Sequence, residues 1–472
     1  MGSFTKASHA VYGSLPIPLQ NLAVSSWGLY SRRQRYGPVF RAYLEELRRS
    51  EWWSREQMDR YRFGRLSEVL TRAYDNSDFY RDTFDRHGVR PKDLRSLSDL
   101  ASFPILRKAE ARQAGSALLD RTFDTRRLRT FTTSGTTGSP FKIFMTPEAQ
   151  AFVWAVAWRH RARFGVEIGD PFLSFGVRLP IRTSNPKPPF WRENWALGQT
   201  YLSVDHLTPE TMPAVIDMMN ERRFVFFAGY PSAMLVLARF MEESGLRLYH
   251  RPRYIMSASE SLRADQAETI RRAFGADVTD FYGMAEIAGA FSKCEAGSYH
   301  EDFELGVVEL LPSPELQDPR LRRIVVTGLQ NHAMPFIRYD TGDVAVMNDS
   351  ACTCGRESAT IAAIDGRIED YIRTPDGRHI VDINVVLKAS EYVREGQVAQ
   401  EGADTLKVYV VRAPGFSDDR DIPLIRDQIT RRVGPSMKMS FEFVERVPRL
   451  ASGKMRALWY REVLSEDARR RP

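Results

Sequence analysis

Residues Tyr254–Glu286 read YIMSASESLRADQAETIRRAFGADVTDFYGMAE. A short apolar run, Tyr254 to Met256, precedes a helical stretch at 262–274, and a second apolar run, Val278 to Phe281, follows it. Each run ends in a polar loop. Strands alternating with helices predict a parallel α/β sheet, because parallel strands need a crossover between them. The alternation extends outward: Phe172 to Phe175 and Phe224 to Phe227 are strand-like, while 147–164, 208–221 and 231–244 are helical. Further upstream, residues 39–75 are Arg/Glu-rich with Phe40, Tyr43, Leu44 and Leu47 at helical spacing, so an α-helical N-terminal layer is expected. Beyond Asp365 and Gly366 the mixture recurs on a smaller scale. A hairpin turns at Pro375, Asp376 and Gly377, strands fall near 392–398 and 406–411, and a helix lies near 422–433. The expected organisation is an α/β fold with a large N-terminal domain, 1–365, and a small mobile C-terminal α/β domain, 366–472.

Composition agrees with two packed domains. The chain has 472 residues, 43% of them hydrophobic and 27% charged, which excludes a disordered or disulfide-stapled molecule. Of 67 cationic residues only ten are lysine, and the arginines are spread along the chain without a basic run, so the net charge of +7 is no nucleic-acid footprint. Ala7 to Ser31 carries no Asp, Glu, Lys or Arg, but Pro16, Pro18, Gln20 and Asn21 interrupt it. It is read as neither a signal peptide nor a membrane span, and a cytoplasmic protein is expected.

The loop segments carry the chemistry. Thr132 to Met145, TTSGTTGSPFKIFM, sits between two strand-like stretches and offers backbone donors and hydroxyls with little side-chain bulk. Such a loop can wrap a polyphosphate, although it is not a GxxxxGK[ST] loop. Downstream follow SASESL (257–262), DFYGMAE (280–286), IRYDTGD (337–343), GRIED (366–370) and ASGKMR (451–456). The first two lie at strand C-terminal ends, where open α/β sheets bind ligands. Taken singly each is also at home as a surface or capping segment; the ordered set is what points to a nucleotide site.

With these motifs, and with DFYRDTF…GVRPKDLRSLSDLASFPILRK from Asp78 to Lys108, the chain resembles the adenylate-forming (ANL) superfamily, specifically its phenylacetate–CoA ligase and capsular-polysaccharide-biosynthesis (CapK-like) branch. The resemblance implies that Thr133, Ser134, Gly135, Thr136, Thr137 and Gly138 bind the ATP phosphates. Ser259 and Glu260 would line the adenine, and Tyr282 would lie against its face, with Asp280, Phe281, Gly283 and Met284 in the same nucleotide-binding segment. It implies Glu286 as the Mg²⁺ ligand, Asp343 as the ribose carboxylate with Arg367 nearby, Glu369 as the hinge, and Lys454 as the lysine bridging carboxylate and α-phosphate. A lysine suits that place because negative charge gathers on the phosphoryl oxygens. The chain departs from the branch in the hinge acid, Glu instead of Asp, and in the longer TPDGRHI hairpin, which leaves the acceptor open.

Cys294, His300, Cys352 and Cys354 form a CxxxxxH…CxC set. Three cysteines cannot all pair within one chain, whereas three thiolates and an imidazole fill a tetrahedral Zn²⁺ shell with no open position. A structural zinc is therefore expected, against free buried thiols or a redox pair. Glu301 and Asp302 rival His300 for the fourth place, though oxygen matches poorly beside three sulfurs.

For the acyl group, Trp154 and Trp158 on the helix at 148–164, with Phe227, Tyr230 and Met284, offer aromatic and apolar surface that suits a flat acid; ordinary core packing is the alternative for each. The Pro-rich stretch Lys187 to Trp195 either covers the site or is an insertion. The function implied is adenylation of an aromatic carboxylic acid by ATP with Mg²⁺ and transfer to CoA. The alternatives are transfer to an amine or hydroxyl, or an inactive nucleotide- and zinc-binding protein. The partners expected are small molecules; a homodimer is left open.

Overall fold

The computed structural model describes residues 12–132, 141–176, 181, 188–313, 316, 318–367, 372–375, 379–380, 387, 390, 392–447 and 458–460. Three helices form an N-terminal layer: α1 (Ile17–Arg35), α2 (Pro38–Ser50) and α3 (Arg55–Asn76). The second starts behind Gly37 with Pro38 at its first turn, where a missing N–H costs nothing, and buries Phe40, Leu44 and Leu47 on one face. The third is closed by a capping box between Ser54 and Gln57.

Helices α4 (Asp78–His87) and α5 (Lys108–Ala114) and an antiparallel pair, β1 (Arg129–Thr132) and β2 (Lys142–Met145), lead into the body, a twelve-stranded sheet. Its parallel part comprises β3 (Phe172–Phe175), β5 (Gln199–Leu202), β6 (Phe226–Gly229), β7 (Tyr254–Ala258) and β8 (Val278–Gly283), in spatial order β8-β7-β6-β3-β5. Helices α6 (Pro147–Arg163), α7 (Met212–Glu221), α8 (Pro231–Ser244) and α9 (Ala264–Phe274) match the helical stretches read from the sequence. Successive side chains on each strand enter opposite cores. Phe172, Phe226 and Tyr254 pack with the N-terminal layer, whereas Leu173, Phe227 and Ile255 pack with α7 and α8 on the other side. This double burial is why the strands read as continuous apolar runs.

An antiparallel wing continues the sheet through β9 (Ala290–Lys293), β10 (Tyr299–Glu301), β14 (Thr360–Arg367), β13 (Tyr339–Met347), β12 (Leu321–Gly328) and β11 (Gly306–Leu311). The last of these in sequence, β14, keeps pairing as far as Arg367, opposite Asp343, so the sheet runs two residues past the Asp365–Gly366 point. The small domain is a four-stranded sheet covered by α10 (Asp418–Val433), with Val398, Leu406, Val408, Val410, Ile425 and Ile429 in its core. The hairpin anticipated around Pro375 is present as Ile372–Arg373 paired with His379–Ile380. Arg239 on α8 donates to the Val393 carbonyl at 2.7 Å, and Arg446 donates to the Val204 carbonyl at 2.8 Å, joining the small domain to the large one.

Candidate functional site

The C-terminal ends of β6, β7 and β8 lie side by side, with Gly229 opposite Ser257 and Ala258 opposite Phe281. Backbone amides and loop side chains therefore converge there, as parallel strands require. Gly229 has φ +141° and its Cα lies against the Phe175 carbonyl, so no side chain fits; Gly176, at φ +122°, gives way to the Tyr230 ring. Three non-glycine residues among those described have positive φ: Ser259 at 72°, Ile287 at 54° and Arg338 at 46°. All three fall in or immediately after the SASESL, DFYGMAE and IRYDTGD segments. Such strain costs on the order of 1 kcal/mol each and persists where surrounding structure enforces it, characteristically at functional sites. Arg338 is held by a bidentate pair with Glu309 at 2.8 and 2.9 Å.

Two tyrosine–carboxylate bonds tie the segments together. Tyr282 donates to Asp343 Oδ2 at 2.6 Å, and Tyr339 donates to Glu286 Oε1 at 3.0 Å. Each bond runs between the β8 end and β13, which are separated by three strands in the sheet, so the turn after Gly283 must fold back over the wing. Asp343 is further fixed by its N–H donating to Thr341 Oγ1 at 3.0 Å. Glu286 is buried; among the described residues Tyr339 is its only hydrogen-bonding partner and no cation pairs with it. The segment at Leu106 pairs with the start of β13, Asp340 N–H donating to the Leu106 carbonyl at 2.9 Å, which puts the PILRK stretch beside the site.

The other expected residues take distinct places. Glu260 accepts from Ser232 N–H at 3.2 Å, in the first turn of α8, where a carboxylate complements the helix dipole. It also pushes Tyr230, already raised by burial, up to about 12. Asp280 is buried and accepts from Tyr299 Oη at 2.9 Å; burial pushes its carboxyl up to about 6 against the pull of the Ser257 and Tyr299 hydroxyls. Phe281 packs against His160 at a centroid distance of 5.8 Å, Tyr282 is half-buried, Gly283 is exposed, and Met284 packs on the first core. Thr133, Ser134, Gly135, Thr136, Thr137, Gly138, Glu369 and Lys454 lie outside the described residues, and Arg367 is described by its backbone alone.

Of the expected acyl-pocket residues, Phe227 has its ring in the second core between Phe175 and Phe274, at 6.0 and 5.5 Å, because strand alternation sends Phe226 and not Phe227 toward the side shared with the N-terminal layer. Trp158 is buried beneath the Arg161 guanidinium and edge-on to Tyr36; Trp154 carries the Arg35 guanidinium 4.4 Å from its centroid. Tyr230 stands half-buried at the β6 end, next to the site.

The four metal-ligand candidates do converge. One ligand atom from each of Cys294, His300, Cys352 and Cys354 lies within 4.8 Å of the others. Cys294 Sγ and Cys352 Sγ are 3.6 Å apart, close to the edge of about 3.8 Å expected for two sulfurs on one tetrahedral ion. His300 Nε2 is 3.2 Å from Cys354 Sγ, while Nδ1 is held by Ser358 Oγ at 3.1 Å. Burial, with Arg163 and Arg356 nearby, pushes His300 down to about 4, so the imidazole is neutral and able to ligate. Glu301 and Asp302 are taken elsewhere, by Arg62 at 3.1 Å and Arg159 at 2.7 Å, which leaves His300 the fourth place.

Sequence reading missed the supports. Tyr339, inside the quoted IRYDTGD, orients Glu286; Tyr299 orients Asp280; and Arg159 of α6 joins Asp302 and Glu304 at 2.7 and 2.6 Å. Burial works against the Arg159 charge, but the two carboxylates outweigh it and hold its pKa up.

Residues 372–459 match the family model described as the CapK C-terminal domain. The chain is 24% identical over 452 residues to protein CapK of Staphylococcus aureus, covering 94% of this chain and 98% of that one. It is 25% identical to the phenylacetate-coenzyme A ligase of Thermus thermophilus, covering 85% and 96%. Among solved structures, 2-hydroxyisobutyryl-CoA ligase in the postadenylation state superposes with a TM-score of 0.68 at 18% identity, over 89% of this chain and 93% of that one. The chain thus carries the fold of acyl-CoA ligases of the adenylate-forming superfamily and resembles its CapK and phenylacetate–CoA ligase branch along nearly its whole length.

Proposed function

Starting from that likeness, we propose that this protein is an AMP-forming carboxylate ligase: it activates a carboxylic acid with ATP as an acyl-adenylate and passes the acyl group to CoA. The observation that carries the reading is the cross-linked pair of carboxylates, Glu286 and Asp343, fixed by Tyr339 and Tyr282 at the mouth of the parallel strands. A buried carboxylate without a counter-ion is costly and is stabilised by an arriving cation. Mg²⁺ bound there would neutralise phosphate charge as pyrophosphate leaves. Asp343, rigid on β13, accepts the ribose hydroxyls; Tyr282 lies along the adenine; Ser259, in a left-handed turn, presents backbone to its edge. Thr133–Gly138 would cradle the phosphates, and Lys454 would sit between acid and α-phosphate. Adenylation turns the hydroxyl of a carboxylic acid into a good leaving group, and a rotation about Glu369 would then exchange Lys454 for the acceptor. An aromatic acid suits Trp154, Trp158, Tyr230 and Met284.

The Cys294, His300, Cys352 and Cys354 cluster fits a structural zinc: three soft donors, a neutral imidazole with a hydroxyl behind it, and Arg356 against the surplus thiolate charge. Metal analysis of the purified protein should give about one zinc per chain, and its absence from protein purified without chelators would overturn this assignment.

Pyrophosphate release across aromatic and aliphatic acids, with and without CoA, tests the reaction. Acid-dependent release with acyl-CoA as product is expected, and Lys454→Ala should abolish acyl-AMP formation. Acyl-AMP that accumulates unchanged by CoA would redirect the acceptor to an amine or hydroxyl, and no acid-dependent release would overturn the reading.

A further inference from the structure

Helix α1 is built inside out. Its buried residues are Gln20, Ser25, Gly28 and Ser31, and its polar side chains are engaged by the outer strand of the sheet, β4 (Trp191–Asn194), and the residues after it. Glu193 N–H donates to Asn21 Oδ1 at 3.1 Å, Trp195 N–H donates to Ser25 Oγ at 3.0 Å, and Gly28 sits directly against the Asn194 amide, where no side chain fits. The opposite face presents Leu19, Leu22, Leu29 and Tyr30, each 47–57% exposed, with Ala23 and Ser26 between them. At 100° per residue these fall on one stripe, about 16 Å from Leu19 to Tyr30, and Arg33 extends it. Single exposed leucines need no explanation; four large apolar side chains aligned on the outer face of one helix do.

We propose that this face docks on an anionic lipid bilayer, with α1 lying in the interface plane. The charge pattern selects that occupant. No Asp or Glu occurs before Glu45, whereas Lys6, Arg32, Arg33, Arg35 and Arg41 do, and Arg32, Arg33 and Arg41 are exposed. A second copy using the same patch across a two-fold axis would meet a surface equally poor in acids and leave these cations uncompensated. An anionic membrane supplies apolar depth for the leucines and phosphates for the arginines together, each basic residue contributing about 1 kcal/mol near the surface. Trp195, 59% exposed beside Ser25, adds an indole at the flank, the residue type that favours the headgroup level. The contact is peripheral, since no helix among the described residues is long and apolar enough to cross a membrane.

Flotation of the full-length protein with vesicles tests this. Vesicles of phosphatidylcholine containing roughly one-third phosphatidylglycerol should carry the protein, pure phosphatidylcholine vesicles should carry much less, and high salt should release it. The double variant Leu22→Gln/Leu29→Gln should lose at least about tenfold in partitioning, with an unchanged circular dichroism spectrum and thermal midpoint. Tyr249→Gln, at an exposed apolar residue far along the chain, should float like the wild type. Absence of binding to the anionic vesicles overturns the proposal, as does equal flotation of the double variant. So does a solution dimer that the double variant converts to monomer, which would give the stripe to a second copy.

Discussion

Glu286 and the trio Glu301, Asp302 and Glu304 are buried to similar depth in the large domain, yet they keep different company. Each of the trio is paired with arginine: Arg62 reaches Glu301, and Arg159, itself buried, bridges Asp302 and Glu304, with the Ser50 hydroxyl donating to Glu304. Among the described residues Glu286 has one tyrosine hydroxyl. The first arrangement is paired and ties α2, α3 and α6 to the wing of the sheet. The second is a carboxylate held in direction with no cation beside it among the described residues, at the strand ends where the proposed substrate's charge would arrive. A fold keeps an expensive group only where something other than stability selects it, so the difference sets the paired acids apart from Glu286, to which the proposed reaction gives a chemical role.

That contrast can be broken by exchanging the expected effects. Arg159→Met should be the most damaging change. It strands two buried carboxylates, which costs roughly 3–5 kcal/mol of folding free energy, and denaturant unfolding would measure it; a loss of activity at full stability would erase the distinction. Glu286→Gln should do the reverse, lowering acyl-AMP formation by about 10²–10³-fold, the usual scale for removing one electrostatic contact to the transition state, while its unfolding midpoint stays at or rises above the wild-type value. Stopped or quenched turnover assays read the first, scanning calorimetry the second.

Asp280 sharpens the comparison from a third position, buried but held by hydroxyls. Its carboxyl titrates at about 6 in the folded protein, above the ordinary value of 3.8, so the folded state holds the proton more tightly. The stability it confers is complete below about pH 4 and is lost as pH rises through about 6. Asp280→Asn, which still accepts from Tyr299, should remove that slope, gaining about 2–3 kcal/mol over wild type between pH 4 and 7; parallel stability curves for the two proteins would refute the assignment. The smallest effect belongs to Tyr339→Phe, which frees Glu286 to turn: about 1 kcal/mol, or several-fold in turnover, carried in kcat more than in the KM for ATP.

The parallel half of the fold was legible because its strands are buried on both faces and its helices fall between them at short spacing. The same alternation hid that Phe226 and Phe227 enter different cores, since an apolar run does not say which neighbour faces which. Asp343, Tyr282 and Glu286 could be picked out as motif residues, but not the exchange of hydroxyls that joins them, which spans sixty-one residues in one bond and fifty-three in the other. The cysteine–histidine set was readable from donor type, and the structure removed its rivals by pairing Glu301 and Asp302 with arginines. The Arg159 network was invisible, because its partners lie 143 and 145 residues away and nothing local marks an arginine as buried. Helix α1 escaped because its polarity is reversed: a stretch without charges, read only as neither signal peptide nor membrane span, turns its serines and glutamine inward.

The most direct test of the account is carboxylate-dependent exchange of pyrophosphate into ATP, run on the wild type and on Glu286→Gln at matched thermal stability. Exchange that requires an acid and collapses in the variant is the predicted result. Exchange that is absent in the wild type with every acid, or that survives intact in Glu286→Gln, would contradict it.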